Sequence, residues 1–311
     1  MKDYLNYDGL AVMAHRGGSL EAPENTIESF KYALEIGSDI IETDIQLSSD
    51  GIPYIFHDDD LKRIPGIEKN FNELLASEID ELNIFDDYKI PTLEETLKQF
   101  PNTKFQIDFK TDEVVDPYIF HDDDLKRIPG IEKNFNELLA SEIDELNIFD
   151  DYKIPTLEET LKQFPNTKFQ IDFKTDEVVD PAIEIINKLP NIKKNLCVAS
   201  FSSQRLQKIR SKLSDVTYSM GPHEVLKLLL KSFGVYRGEI SGDCLQIPIY
   251  RYGIKIVTRR FVDFCKRENI KISVWTINSI EEMDYLIDLD VDGIITDKPK
   301  ALINLLASKN T

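Results

Sequence analysis

The sequence predicts an α/β chain folded as a (β/α)8 barrel of the TIM type. Three observations lead there. Strand-like and helix-like segments alternate along the chain, a helical pattern separates nearly every pair of strands, and the alternation fills about the length such a barrel needs. Helical crossovers join parallel strands, because a parallel return needs a long connection. A doubly wound open sheet is the competing arrangement. It is disfavoured because no glycine-rich phosphate loop follows the first strand in the required form.

The elements follow in order. Residues 10–15 (LAVMAH) form a short apolar strand. Residues 25–36 carry apolar side chains at helical spacing, and Gly37 is placed to stop that helix. Residues 39–47 (DIIETDIQL) are a strand, and Ser49-Asp50-Gly51 is a turn signal before residues 52–56 return. So short a turn joins only antiparallel strands, so this arm is a hairpin inserted after the second strand. Helical patterns follow at 71–82 and 92–100, the second opened by a capping box of Thr92 and Glu95. Residues 104–109 (KFQIDF) are a strand. Beyond residue 180, helices at 181–189, 203–213, 224–233, 259–268 and 280–289 alternate with strands at 196–201, 216–220, 244–248, 271–276 and 293–296.

The length is inflated. Residues 53–116 recur without one change as residues 117–180, so a 64-residue unit stands twice in a chain of 311. Without one copy, 247 residues remain, and these hold the eight strands. Each copy carries 16 acidic and 7 basic side chains, so one copy supplies −9 of the net −19. A perfect pair is no solenoid, whose repeats come in three or more and drift apart. The whole chain, 1–311, reads as a single barrel domain carrying one surplus copy.

Composition narrows the function. Charged residues are 30% and hydrophobic residues 41%, as in a soluble globular protein. The acidic balance argues against a nucleic-acid partner, and no apolar run approaches a membrane span. Three cysteines (Cys197, Cys244, Cys265) are too few for a disulfide framework and most simply core residues. With no signal-peptide pattern at the start, the expected location is cytoplasmic.

Barrel chemistry sits at the C-terminal ends of strands, and those ends are polar here. The first ends in His15-Arg16-Gly17-Gly18, the second carries Glu42 and Asp44, and the hairpin arm ends in His57-Asp58. Glu42 and Asp44 are two apart and share one face of their strand. Two close carboxylates repel unless something neutralises them, and a divalent cation with oxygen ligands does so, completed by a third carboxylate from the next strand. Oxygen ligands favour Mg2+ or Ca2+ over zinc. Arg16 and Lys174 (or Lys110) add positive charge on the same rim, which points to an anionic, phosphate-bearing small-molecule substrate. His15 and His57 supply a proton donor and acceptor near neutral pH. Trp275 is read as a wall against the substrate. Together these imply phosphodiester cleavage. Asp58–Asp60 read as a solvated run, His223 as a helix-start residue, Glu24 and Asn25 as braces of the first loop, and Asp297 as a loop or cap residue.

The chain resembles the glycerophosphodiester phosphodiesterases in the motifs HRGGSLEAPENT (15–26), ETDIQLSSDG (42–51), FHDDDL (56–61), IPTLEE (90–95), VWTIN (274–278) and DGIITDKP (292–299). They span nearly the whole 247-residue remainder, in family order. The resemblance implies a (β/α)8 barrel with the hairpin after its second strand. It implies metal-dependent hydrolysis of deacylated phospholipids to glycerol 3-phosphate and an alcohol. It implies His15 and His57 as the acid/base pair, Glu42, Asp44 and the acidic residue of the IDFK segment as ligands of one divalent cation, and Arg16 with the IDFK lysine on phosphate. The family usually has Glu at the third ligand, where this chain has Asp, one methylene shorter. A sphingomyelinase-D-like phospholipase shares the fold but is expected to be secreted and disulfide-bonded. An inactive or misassembled scaffold is the rival from another class.

Each copy offers a second address for half the site. The Asp50-Gly51 turn leads directly only into the first copy, which favours His57 over His121. The helix at 181–189 follows directly only the second copy, which favours Asp172 and Lys174 over Asp108 and Lys110. A hybrid barrel of this kind would loop out roughly residues 61–125. A rival uses the whole first copy and extrudes the second. Closing so long a loop costs only about 3–4 kcal/mol beyond a constant. The extruded unit is expected to be mobile, loosely packed, or swapped between molecules in a homodimer.

Overall fold

The computed structural model describes residues 3–5, 7, 9–50, 52–58, 60–62, 64, 67–85, 87–109, 156–173, 176 and 178–309. The expectations for Lys110, His121 and Lys174, and for the side chain of Asp108, lie outside the described residues, as does the second copy of the 71–82 segment, residues 135–146.

The fold is a TIM-barrel-type wall of parallel strands flanked by helices. β1 (Ala11–His15) leads through α1 (Ile27–Glu35) to β2 (Ile40–Leu47). The hairpin arm β3 (Pro53–Ile55) returns antiparallel along β2, with Ile45 opposite Ile55. β1 pairs with residues 40–42 of β2 and β3 with residues 45–47, so the arm takes up the edge where β1 stops. α2 (Ala76–Glu81) and α3 (Leu93–Gln99) precede β4 (Phe105–Phe109). Then α4 (Leu157–Gln163) precedes β5 (Phe169–Asp172), and α5 (Val179–Lys188) leads to β6 (Leu196–Ala199). α6 (Ser203–Lys212), β7 (Thr217–Tyr218), α7 (Pro222–Ser232) and β8 (Cys244–Ile247) continue the alternation. A short hairpin, β9 (Tyr250–Arg251) and β10 (Ile254–Lys255), stands on the end of β8. α8 (Arg259–Arg267), β11 (Lys271–Val274), α9 (Ile280–Leu289), β12 (Gly293–Thr296) and α10 (Pro299–Lys309) finish the chain.

The wall runs β1, β2, β4, β5, β6, β7, β8, β11, β12 and back to β1. β4 meets β5 at a parallel bridge between Lys104 and Lys168, and β7 meets β8 at one between Ser219 and Cys244. Among the described residues the wall therefore has nine parallel strands where the sequence predicts eight. The ninth comes from the duplication, because both KFQIDF segments are wall strands. For the described parts of the two copies this corrects the expectation of an extruded copy; residues 110–155 lie outside the described residues. The hybrid that loops out 61–125 fails, because Leu61, Ile64, Phe71, Leu74 and Ile79 are buried with Tyr54 and Phe56 under the hairpin. The rival that extrudes the second copy fails too, because Leu157, Leu161 and Phe169 are buried in the main core. The buried apolar faces are the reason: burying them beside a free strand edge is worth more than leaving them in water.

Identical sequence makes identical local structure. Thr92 caps α3 by accepting from the Glu95 amide, and Thr156 caps α4 by accepting from that of Glu159, each with the reciprocal carboxylate bond of a capping box. Inside the wall, Gln106 of β4 and Gln170 of β5 converge on one partner. Gln246 of β8 donates through Nε2 to Gln106 Oε1 (2.6 Å) and to Gln170 Oε1 (3.3 Å), and both donate back to its Oε1. The core lies between wall and helices in two masses, one around Phe30, Phe105, Phe169 and Val198, the other around Leu245, Phe261, Ile272 and Leu286. Among the described residues no helix is long and apolar enough to cross a membrane.

The nine-stranded wall makes a direct prediction. Phe105 is 1% exposed and its copy Phe169 is 2% exposed. Phe105→Ala and Phe169→Ala are each expected to cost about 3–5 kcal/mol in urea unfolding. An extruded copy would make one of them nearly neutral.

Candidate active site

A cavity of about 740 Å³ opens at the C-terminal ends of the wall strands. The structure brings His15, Arg16, Glu42, Asp44, His57, Asp172 and Trp275 to its lining. The turn after β1 is bent to deliver the first two. Arg16, Gly17 and Gly18 all have positive φ. A side chain at Gly17 would meet Ser29 and Phe30, and one at Gly18 would meet the ring of Pro299, so the tight HRGG turn needs both glycines.

His15 is held from behind by Asp297. The ring Nδ1 lies 2.6 Å from Asp297 Oδ1, and Ser19 Oγ and Asn278 Nδ2 also donate to that carboxylate. With Nδ1–H committed to Asp297, Nε2 faces Glu42 Oε2 at 3.6 Å. Asp297 thus corrects the reading of a loop or cap residue. β12 pairs with β1, with Ala14 opposite Thr296, so the next residues of the two strands, His15 and Asp297, are neighbours. Asp58 likewise departs from a purely solvated reading, because its Oδ1 lies 2.7 Å from His57 Nδ1.

Glu42 and Asp44 are buried on one face of β2, 7% and 5% exposed. Positive charge comes from Arg16, whose Nε lies 3.4 Å from Asp44 Oδ2 and whose Nη1 lies 3.2 Å from Glu24 Oε2. Glu24 braces Arg16, as the first-loop reading expects. Asn25 does the same for β2, accepting from Thr43 Oγ1 at 2.8 Å. On the edge of β2 opposite β1 lies β4, whose Asp108 is the backbone partner of Asp44. Asp172 lies one strand further round, on β5. Among the described residues no three His, Cys, Asp or Glu side chains gather as a ligand set. His223 sits at the start of α7, as expected, on the cavity rim.

The electrostatics single out His15 and Asp297. Burial opposes charge on His15. The hydrogen bond to Asp297, with the charges of Glu42 and Asp297, outweighs it and raises the imidazole above its ordinary value. Burial also opposes charge on Asp297, but hydrogen bonds from His15, Ser19 and Asn278 bring its carboxyl down to about 2. An oriented, protonatable imidazole beside two carboxylates, with a second imidazole lining the same cavity, is suited to moving protons on a bound substrate.

A family model described as "Glycerophosphoryl diester phosphodiesterase family" matches residues 15–117 and again 115–301. A glycerophosphodiester phosphodiesterase of Caldanaerobacter subterraneus subsp. tengcongensis is 27% identical over 301 residues, covering 95% of this chain and 97% of its own. A probable glycerophosphodiester phosphodiesterase 2 of Mycobacterium tuberculosis is 25% identical, covering 99% and 94%. Among solved structures, a phosphodiesterase of Oleispira antarctica in complex with the product sn-glycerol-3-phosphate aligns with a TM-score of 0.53 at 19% identity, covering 96% of this chain and 97% of that one. The similarity to that structure shows the barrel fold.

The His15–Asp297 pair sets a pH signature. A raised histidine stabilises the fold fully below its ordinary 6.5, and that stability is lost as pH rises through the raised value. A lowered carboxylate stabilises above its ordinary 3.8, and that stability is lost as pH falls toward about 2. Asp297→Asn is therefore expected to destabilise most between about pH 4 and 6.5, by about 2 kcal/mol. Melting temperatures of both proteins across pH check this. A constant difference at every pH would mean the pair does not form.

Proposed function

The chain belongs to the glycerophosphoryl diester phosphodiesterase family, and from that premise we propose that it hydrolyses glycerophosphodiesters to glycerol 3-phosphate and an alcohol, with His15 and His57 as its acid/base pair. The observation that carries this reading is the hydrogen bond from His15 to Asp297 beside Glu42, in the cavity that His57 also lines. In the net reaction the hydroxyl of water goes to phosphorus, the phosphorus–oxygen bond to the alcohol breaks, and a proton goes to the departing oxygen. His15, kept above its ordinary pKa, is suited to give that proton, and its Nε2 is the atom free of Asp297. His57, aligned by Asp58, is the acceptor. Arg16 binds phosphate oxygens, and Trp275 closes one side of the cavity against water. Lys174 or Lys110 is the second cation toward phosphate.

One divalent cation, Mg2+ or Ca2+, fits the donor set. Glu42 and Asp44 are hard oxygen donors, buried and on one strand face, where a cation would offset their mutual repulsion. The third donor is an aspartate of the duplicated segment. The register beside Asp44 favours Asp108, and lining of the cavity favours Asp172. When bound, the cation would draw charge from the phosphate oxygens.

The test is release of glycerol 3-phosphate from glycerophosphocholine or glycerophosphoethanolamine. His15→Ala and His57→Ala are each expected to lower kcat by about 10²–10⁴. EDTA is expected to abolish turnover, and added Mg2+ or Ca2+ to restore it. Turnover that survives EDTA, or the loss of both histidines, would overturn the reading. Asp108→Asn and Asp172→Asn assayed side by side identify the third donor as the copy whose loss raises the cation concentration needed for half-maximal rate.

A further inference from the structure

The two copies end alike in sequence, at Asp108-Phe109-Lys110 and at Asp172-Phe173-Lys174. Their places in the wall are not alike. β5 has β6 beside it, and the helix that follows β6 is α6. Arg205 stands in the first turn of α6, where its amide donates to the capping hydroxyl of Ser202. Its side chain is 14% exposed and reaches across to the chain that leaves β5. Nη1 donates to the carbonyl oxygen of Phe173 at 2.9 Å and to Ser200 Oγ at 3.1 Å, and Nε donates to Asp176 Oδ1 at 2.7 Å. Ser200 Oγ donates to the same Phe173 oxygen at 2.6 Å.

Phe173, the residue after Asp172, is therefore held in three ways. Its amide donates to the carbonyl oxygen of Ala199, which lengthens the β5–β6 ladder. Its own carbonyl accepts from Arg205 and Ser200, and its ring is buried in the main core. Three residues on, Asp176 is held by Arg205 through its carboxylate and by Lys208 Nζ through its carbonyl. In sequence Lys174 stands between these two held residues. Asp172 and Ser200 line the cavity, and Arg205 stands behind them, outside its lining. A planar guanidinium that meets a carbonyl, a hydroxyl and a carboxylate fixes direction as well as distance.

We propose that Arg205 is a positioning residue for the end of β5, and that it makes the second copy the working one, with Asp172 as the third cation donor and Lys174 toward phosphate. The inference rests on the phosphodiesterase reading above and chooses between the two addresses which that reading leaves open. A donor that is to meet a cation must be held to within roughly 0.5 Å, and fixing the backbone beside it supplies that hold. One guanidinium serves one strand end. β5 lies between β4 and β6, so a fork committed to Phe173 is not shared with Phe109.

The test is a double-mutant cycle read by cation binding as well as by turnover. Metal-free protein is titrated with Mg2+ and separately with Ca2+, and the rise in melting temperature gives the affinity. Arg205→Ala is expected to weaken that affinity about tenfold, and to raise by the same factor the cation concentration for half-maximal release of glycerol 3-phosphate from glycerophosphocholine. Asp176→Ala, at an exposed position, removes one arm of the clamp and is expected to act in the same direction by a smaller factor. It is carried through the same cycle, so the test stands even if Arg205→Ala does not fold. In an Asp172→Asn background either variant is expected to add almost nothing, and in an Asp108→Asn background its full effect is expected to remain. Equal effects in the two backgrounds, coupling to Asp108 instead, or unchanged affinity in both single variants overturns the assignment and leaves the phosphodiesterase reading standing. The expected coupling in a protein that releases no glycerol 3-phosphate overturns that reading and leaves the role of Arg205. No melting shift with either cation overturns the cation site and this inference together.

Discussion

The chemistry of the mouth depends on one backbone pairing, that of the last wall strand with the first. β12 lies parallel to β1 with Ala14 opposite Thr296. One residue beyond that pair, His15 and Asp297 are 282 positions apart in sequence and 2.6 Å apart in space. The second pairing of β1, with β2, sets His15 opposite Glu42. Ser19 reaches Asp297 because the HRGG turn folds back over the strand end, and Asn278 reaches it from the neighbouring β11 connection. Closure of the wall, at the β4–β5 and β7–β8 bridges, removes the remaining strand edges.

The duplicated strand shows how a closed wall accepts an extra member. β4 and β5 have one sequence but different neighbours, β2 on one side and β6 on the other. Their outward phenylalanines pack into the same helical layer, and their inward glutamines would crowd the barrel interior as unpaired amides. Gln246 resolves this. An amide has two donor hydrogens and an acceptor oxygen with two lone pairs, so one side chain answers two identical partners. The copies therefore share a polar junction in the place where a mismatch would have cost most.

Much of this was legible in the sequence, and the exceptions have physical causes. The strand ends, the hairpin after β2 and the Thr92–Glu95 cap follow from local pattern and turn chemistry, and the structure has each of them. Residues 71–82 read as one helix but break into a 3-10 turn at Phe71–Glu73 and α2, because Leu74 and Ile79 turn into the core beneath the hairpin. The β9–β10 hairpin was not read, since Tyr-Arg-Tyr-Gly-Ile-Lys is too short for an alternation signal. Helix α10 was also missed, although Pro299 at its first turn is a start signal. The place of Asp297 is a tertiary fact, invisible to local pattern. The place of the second KFQIDF strand was misjudged for a related reason: a strand edge is a property of the sheet, and a sequence does not display how many strands a wall admits.

The identity of the two copies has a consequence in the language of the gene. Removing any 64-residue window that begins between residues 53 and 117 yields the same 247-residue chain. Every such deletion therefore converges on one product, in which β4 and β5 become one strand and Gln246 keeps one glutamine partner. Each copy already forms the same capped helix and wall strand, so either flank meets a segment shaped to receive it. Deleting one copy takes the nine wall strands seen among the described residues to eight and removes no type of residue from the site.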